Sequence, residues 1–342
     1  MTRFLARRLP MAALAMWGVA TLVFMMMKAI PGDEARVAAG RTATPEQVAQ
    51  ARERLGLDHS VVTQYLDYLE RLLHGDLGTS VVTFQSVADD LARVLPATVE
   101  LVAATMAVNL LIGVPLGVLA AVRHGKPADG AARTVMVVAG GVPVFWLALL
   151  LQNLFAARLG WFPISGRHNL GVEPPEVTGA ATVDALLAGD PTAFGDAVAH
   201  LVLPALALAA PFVAVVARTV RSSLLGVLAA DHVTFARAKG AGTGRVVLRH
   251  GLRCCLGPIV TIIGMQFGWM MGAALLVESV FGLPGLGTYL TTAVTSQDNT
   301  AVLGCVLVLG LVFVVANLLV DVVQLWLDPR ARAAGAFAGG AA

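Results

Sequence analysis

Six stretches of this chain run for 19 residues or more without Asp, Glu, Lys or Arg: Leu9–Met27, Leu101–Val122, Thr134–Ala157, Ala197–Ala217, Cys254–Val277 and Asn299–Val320. A helix that crosses a bilayer needs about 20 such residues. A buried core helix can account for one run of this kind; six in one chain predict an all-α integral membrane protein with six transmembrane helices. Only 13% of the residues are charged, against about a quarter in a soluble domain.

The first run follows Arg3, Arg7 and Arg8, as a signal peptide would. It exceeds the roughly 7–15 residues of a signal h-region, and IPGD follows it rather than a small-x-small cleavage site, so it reads as a retained span. Basic residues then set the orientation. Arg3, Arg7 and Arg8, the loop with Arg123, Lys126 and Arg133, the stretch from Arg218 to Arg253, and Arg330 and Arg332 together hold fifteen of the 24 Lys and Arg. Only Asp129, Asp231 and Asp328 are acidic on that side. Lys and Arg concentrate in cytoplasmic loops, so both termini are expected in the cytoplasm. The expected order is therefore an N-terminus and first span over 1–30, an extracytoplasmic helical region over 31–95, a transmembrane domain over 96–327 and a cytoplasmic tail over 328–342. Within the domain the further spans fall at about 97–122, 134–157, 197–217, 254–277 and 299–326, with a cytoplasmic loop over 218–253.

On the other side, TPEQVAQARERLGLD predicts a helix with Thr44 as N-cap, Pro45 at its first position and Gln47 closing a capping box, stopped at Gly56. Val61, Tyr65, Tyr68, Leu69 and Leu72 recur at helical spacing until HGDLGTS interrupts them. A second outer loop, from about Gly160 to His200, is expected to hold a short helix near Val183–Leu187. VESVFGLPGLGTYL, with three glycines and Pro284, predicts a turn that dips back against the outer leaflet.

Chemistry of the chain's own is hard to find. HGKP at His124–Pro127 lacks the Ser/Thr and the spaced glycine of a phosphate loop, GAGTG at Gly240–Gly244 follows a helical pattern, and HExxH is absent. Cys254, Cys255 and Cys305 suit a reduced or lipid-buried setting and read as small hydrophobes. Glycines four apart (Gly113 and Gly117; Gly264, Gly268 and Gly272) predict close helix contacts, with the lining of a substrate path as the alternative. Glu100, Asn109, Gln152, Asn153, Gln266 and Asn317 are polar groups at or within spans and must face the protein interior or a wet path. The first five are candidates for the pathway or interior. No metal site, no catalytic residue and no nucleic-acid surface is expected.

The stretch from Arg218 to Arg253 holds seven basic residues and one acid between two apolar runs. A helix over Leu224–Lys239 capped by Ser222 or Ser223, a left-handed turn at Gly240 and a second helix from Arg245, capped by Thr243, are expected. Val233, Phe235 and Ala236 would form an apolar knob between Arg237, Lys239 and Asp231. Such a joint serves either a docked soluble partner or the lipid headgroups.

This stretch resembles the EAA loop of ABC importer permeases, E-A-A-x3-G-x9-I-x-L-P. Aligned on Gly240 it supplies Phe235-Ala236, then Arg237-Ala238-Lys239, while the Glu, the first Ala and the I-x-L-P ending are missing. Other segments are similar to the dipeptide/oligopeptide/nickel branch of that family: RFLARRLP, IPGD, RLGLDHSVVTQYLDYLERLLHGDLGTS, LPATVEL, GVPLGVLAAVRHG, GWFPISGR, HLVLPALALAAP, VESVFGLPGLG and LDPR. The resemblance implies a type I ABC importer permease fold in a bacterial inner membrane. It also implies a homologous permease as heterodimer partner, two cytoplasmic ATPases that bind ATP and Mg, and an extracytoplasmic substrate-binding protein. The cargo it implies is di- or oligopeptides, with nickel or another small solute as the alternative within the branch. A secondary transporter not driven by ATP is the alternative of another class; the spans show no matching interrupted halves.

Overall fold

The protein is described by a computed structural model covering residues 2–29, 34–40, 43–54, 57–240 and 242–327. IPGD, Gly56 and the tail from 328 lie outside these residues. The elements are helices: α1 (Thr2–Ala29), α2 (Glu34–Ala39), α3 (Pro45–Arg54), α4 (Val61–Leu73), α5 (Val87–Val122), α6 (Pro127–Gly141), α7 (Val144–Leu151, continued by a π-helical stretch Gln152–Arg158), α8 (Ala181–Ala188), α9 (Pro191–Leu228), α10 (Asp231–Ala238), α11 (Thr243–Arg245, then π-helical Val246–Gly251), α12 (Leu252–Phe281), α13 (Leu286–Thr295) and α14 (Asn299–Leu327). They fall into two units, Met1–Leu95 with Thr288–Val314 and Pro96–Gly287 with Val315–Ala342.

Among the described residues, five helices are long and apolar enough to cross a membrane, over Arg8–Ala29, Val87–Val122, Pro191–Leu228, Cys255–Phe281 and Asn299–Val323, and the bent pair α6–α7 makes a sixth if it is counted as one span. The run Thr134–Ala157, expected as one span, is broken: α6 and α7 meet at 102°. Pro143 lacks a donor and restricts the residue before it to extended backbone, and Val142 sits at φ −81°, ψ 127°. The cytoplasmic-loop helix also starts later than expected. α9 continues without interruption to Leu228, because Val220 and Leu224 are buried in a cluster with Val216, Val247, Cys255 and Ile259. Ser222 does not cap; its hydroxyl donates back to the Thr219 carbonyl at 3.0 Å.

Local signals in the other segments follow their chemistry. The Gln47 amide oxygen accepts from Thr44 N at 2.9 Å and Thr44 Oγ1 accepts from Gln47 N at 3.4 Å, which starts α3 at Pro45. Ser60 caps α4 by accepting from Thr63 N. Asp190 caps α9 by accepting from Thr192 N and Ala193 N, with Pro191 at the first position. α8 occupies the outer-loop position where a short helix was expected.

In the second unit α9 is the hub. Ala214 and Ala217 face Ala120, Ala132 and Met136 of α5 and α6, while Val216, Val220 and Leu224 meet α12 and the turn before it. Small residues set the α5–α9 distance: a Cβ on Gly117 would lie 2.6 Å from Ala217 O and 2.7 Å from Val220 Cβ. Gly264 is equally tight against Val320, whereas Gly272 is open. Gly117→Ala should therefore destabilise the isolated subunit by about 1–3 kcal/mol through overpacking, while Gly272→Ala is neutral or slightly stabilising. Thermal unfolding in detergent measures both, and equal effects would refute the packing account.

Candidate functional site

Helix α10 stands between the end of α9 and α11. Its first turn is fixed by Val233, which is fully buried and donates its N–H to Ala230 O at 3.0 Å. Val233 thus belongs to the seat of the helix rather than to an exposed knob, because its position on the helix turns it inward. Phe235 lies two residues on and is 62% exposed. Lys239 Nζ sits 4.5 Å from its ring centroid, a cation–π contact that fixes both side chains on one face. Gly240 ends the helix at φ +84°, in the left-handed region that glycine adopts without strain. Arg245 is exposed on α11. The side chains of Ala236 and Arg237 lie outside the described residues. The exposed face therefore carries an aromatic ring with a cation on it.

Seven residues before α9 ends, Arg221 forms a two-pronged ion pair. Its Nε donates to Asp129 Oδ1 and its Nη2 to Asp129 Oδ2, both at 2.9 Å. Gly125 N donates to the same Oδ2 at 3.2 Å, and His124 Nδ1 lies 3.0 Å from it. Asp129 is buried in the first turn of α6. The turn between α5 and α6 is thereby clasped to the end of α9 that carries α10. Sequence reading counted Asp129 and Arg221 only as charges, and no spacing linked residues 92 positions apart.

The polar residues within spans resolve into separate ties. Asn109 Nδ2 of α5 donates to Gln266 Oε1 of α12 at 2.7 Å, and Gln266 Nε2 donates to Phe212 O of α9 at 3.2 Å. Asn109 and Gln266 are both buried. Glu100 accepts from Arg167 Nη2 at 3.0 Å, from Ala181 N at 3.1 Å and from Thr182 N at 2.6 Å and Thr182 Oγ1 at 2.5 Å. It fastens the segment that carries α8. Gln152 Nε2 donates to Ile164 O and Val280 O, both at 3.0 Å. Asn153 is exposed and is not drawn into these ties. Nearby, burial alone would raise the Asp184 pKa. Donors from Thr178 Oγ1, Thr178 N and Gly179 N outweigh it and hold the carboxyl below its ordinary 3.8.

A further buried acid was missed in the sequence. Glu278, at the end of α12, accepts from Gly287 N at 2.6 Å. A Cβ on Gly285 would lie 2.5 Å from that carboxylate, and one on Gly287 2.5 Å from the Leu275 backbone. The glycines of VESVFGLPGLG therefore make room for Glu278 and for the chain returning over α12. The visible signal is an acid six residues before a Pro-Gly turn.

The fold and these ties define a multi-pass helical membrane protein, with a cation-bearing aromatic face presented on a loop between spans. The family model described as "Binding-protein-dependent transport system inner membrane component" matches residues 113–333, and the corresponding N-terminal model matches 1–102. The chain belongs to this family and is a permease of the ABC importer type. It is 39% identical over 333 residues to the di/tripeptide transport system permease DppB of Pseudomonas aeruginosa, covering 97% of this chain and 99% of that protein. It is 39% identical over 314 residues to the probable D,D-dipeptide transport system permease DdpB of Escherichia coli, covering 92% of each. With the glutathione transport system permease GsiC of Salmonella typhi it shares 36% over 315 residues, covering 92% of this chain and 94% of that one. Among solved structures, an inward-facing form of the MetNI methionine ABC transporter superposes with a TM-score of 0.53 at 19% identity. It covers 70% of this chain and 96% of that one, and shows the fold alone.

Two outcomes follow. Single substitutions Asp129→Asn and Arg221→Ala should each lower the melting temperature by several degrees, because the first removes the carboxylate that pairs with the part-buried Arg221 and the second leaves the buried carboxylate of Asp129 without its main partner. Arg133→Ala, whose exposed side chain only approaches Asp129 at 3.9 Å, should leave it unchanged; differential scanning of purified variants reads this. The costs of Gln266→Leu and Asn109→Leu taken singly should sum to more than the cost of the double variant, by roughly 0.6–2 kcal/mol of coupling, measured as a double-mutant cycle in detergent.

Proposed function

We propose that this chain is one permease half of an ATP-driven importer of di- or oligopeptides. Its partners are a homologous permease, two cytoplasmic ATPases and an extracytoplasmic substrate-binding protein. The DppB and DdpB relatives are named for short peptides and GsiC for glutathione, itself a tripeptide, which supports a peptide cargo. In this reading both termini are cytoplasmic, ATP and Mg sit on the ATPase subunits, and this chain catalyses no reaction. It supplies the wall of the path and the joint that moves it.

The observation that carries the reading is Phe235, left 62% exposed on α10 with Lys239 over its ring. An aromatic anchor flanked by cations suits a groove with an apolar floor and an acidic rim on an ATPase. α9 is about 57 Å long at 1.5 Å per residue. Its buried face meets α5, α6 and α12, so a displacement of α10 is delivered to three helices at once. ATP drives this by binding one of two arrangements better than the other. Substrate choice rests largely with the binding protein, and the path needs only to admit a peptide.

In the complex assembled with its ATPases, sister permease and binding protein, Gly240→Trp should insert normally yet lose peptide-stimulated ATP hydrolysis. Phe235→Ala should lower it by tenfold or more. Stimulation that survives both changes removes the docking model. The purified chain alone should hydrolyse no ATP. A thermal-shift screen of the cognate binding protein should single out short peptides over nickel and free amino acids.

A further inference from the structure

Helix α4 has three faces, and only two of them have an evident use. Tyr68, Leu69 and Leu72 join a cluster with Ala20 and Val23 of α1 and Leu303 and Leu307 of α14. Thr63, Asp67, Glu70 and Arg71 form an exposed polar face. At 100° per residue, Val62, Leu66 and Leu73 fall within about 40° of one another, on a flank between the cluster-facing side and the polar face, whose nearest member is Glu70, about 40° beyond Leu66. These three are 69%, 58% and 87% exposed.

The depth at which α4 meets α1 decides what covers this flank. From Arg8 to Lys28, α1 rises about 30 Å, the thickness of the hydrocarbon core, so the two cations mark its limits. Thr21 lies seven residues before Lys28, about 10 Å inside that limit. The Tyr65 hydroxyl reaches Thr21 Oγ1 at 2.6 Å, and the Tyr65 ring stacks edge-on against Phe24 at 5.1 Å. Val19, deeper still, touches the same cluster. α4 therefore meets α1 at bilayer depth rather than above it. Beside this contact α1 itself exposes Trp17, Leu22, Met25 and Met26, so the flank of α4 continues an apolar surface that already faces lipid.

We propose that α4 is an interfacial helix embedded in the leaflet nearest Lys28, with Val62, Leu66 and Leu73 against acyl chains and Thr63, Asp67, Glu70 and Arg71 toward headgroups and water. The segment between the first two spans is then partly a membrane element. It widens the wall that α1 and α14 present to lipid and fixes the height of the loop that follows α4.

Nitroxide probes on Val62→Cys, Leu66→Cys, Leu73→Cys, Asp67→Cys and Glu70→Cys test this in the full chain, with Cys254, Cys255 and Cys305 replaced. The chain is assembled with its partners in nanodiscs of phosphatidylethanolamine and phosphatidylglycerol. At 62, 66 and 73 the ratio of collisions with oxygen to collisions with a water-soluble nickel chelate should exceed that at 67 and 70 several-fold. Ratios at 62 and 66 equal to those at 67 and 70 would place the flank in water. Protection from both reagents would place it against protein. Either result overturns the proposal, and because all five positions are exposed the labels do not test folding instead.

Discussion

Helix α9 surrenders much of its surface to other helices instead of lipid, and the rest of its unit is organised by that choice. Lipid tails are as apolar as Leu, so no hydrophobic force holds helices together in a bilayer. What holds them is close contact, which requires small residues. α9 supplies Ala205, Ala207, Ala209, Ala214 and Ala217 on buried positions, and α5 answers with Gly117 where Ala217 O and Val220 approach. Once that distance is set, Val220 and Leu224 are drawn into the same contact, and α9 runs on as one helix to Leu228.

Polar groups then add orientation to proximity. Several of them join different elements: Asn109 with Gln266 links α5 to α12, Gln266 reaches α9, and Arg221 with Asp129 fixes the α5–α6 turn to α9. Such bonds are modest in stabilisation but specific in register, since an unmatched amide or charge in hydrocarbon is costly. The first turn of α6, which meets α7 at 102°, stays tied through Asp129 and Arg221 to the helix that precedes α10.

Much of this was legible in the sequence because hydrocarbon imposes simple rules. Uncharged runs gave the spans, Thr44 with Gln47 gave the start of α3, and Gly113, Gly117 and Gly264 gave close contacts. The sequence was silent where the deciding partner lay far along the chain. Ser222 looks like a cap until the burial of Val220 and Leu224 prolongs α9 past it. Thr134–Ala157 reads as one span because hydropathy does not register the backbone restriction that Pro143 places on Val142. Asp129 and Arg221 were tallied as charges, although geometry joins them into one bidentate pair. Glu100 and Gln152 stood out as polar, but only the folded chain shows that they hold loop backbone.

The basic stretch illustrates the same division. Its motif departs from the family pattern at the Glu and the first Ala, so identity alone leaves the joint uncertain in register. Helix periodicity removes that freedom: with Val233 buried and donating to Ala230 O, a residue two positions later must turn to the opposite side. Phe235 is thus exposed by the same contact that seats α10, and Lys239, four residues on, is brought over its ring. The anchor and the seat are two consequences of one helical phase. A change that moves Val233 out of its site would displace the face offered to a partner before it altered any contact residue.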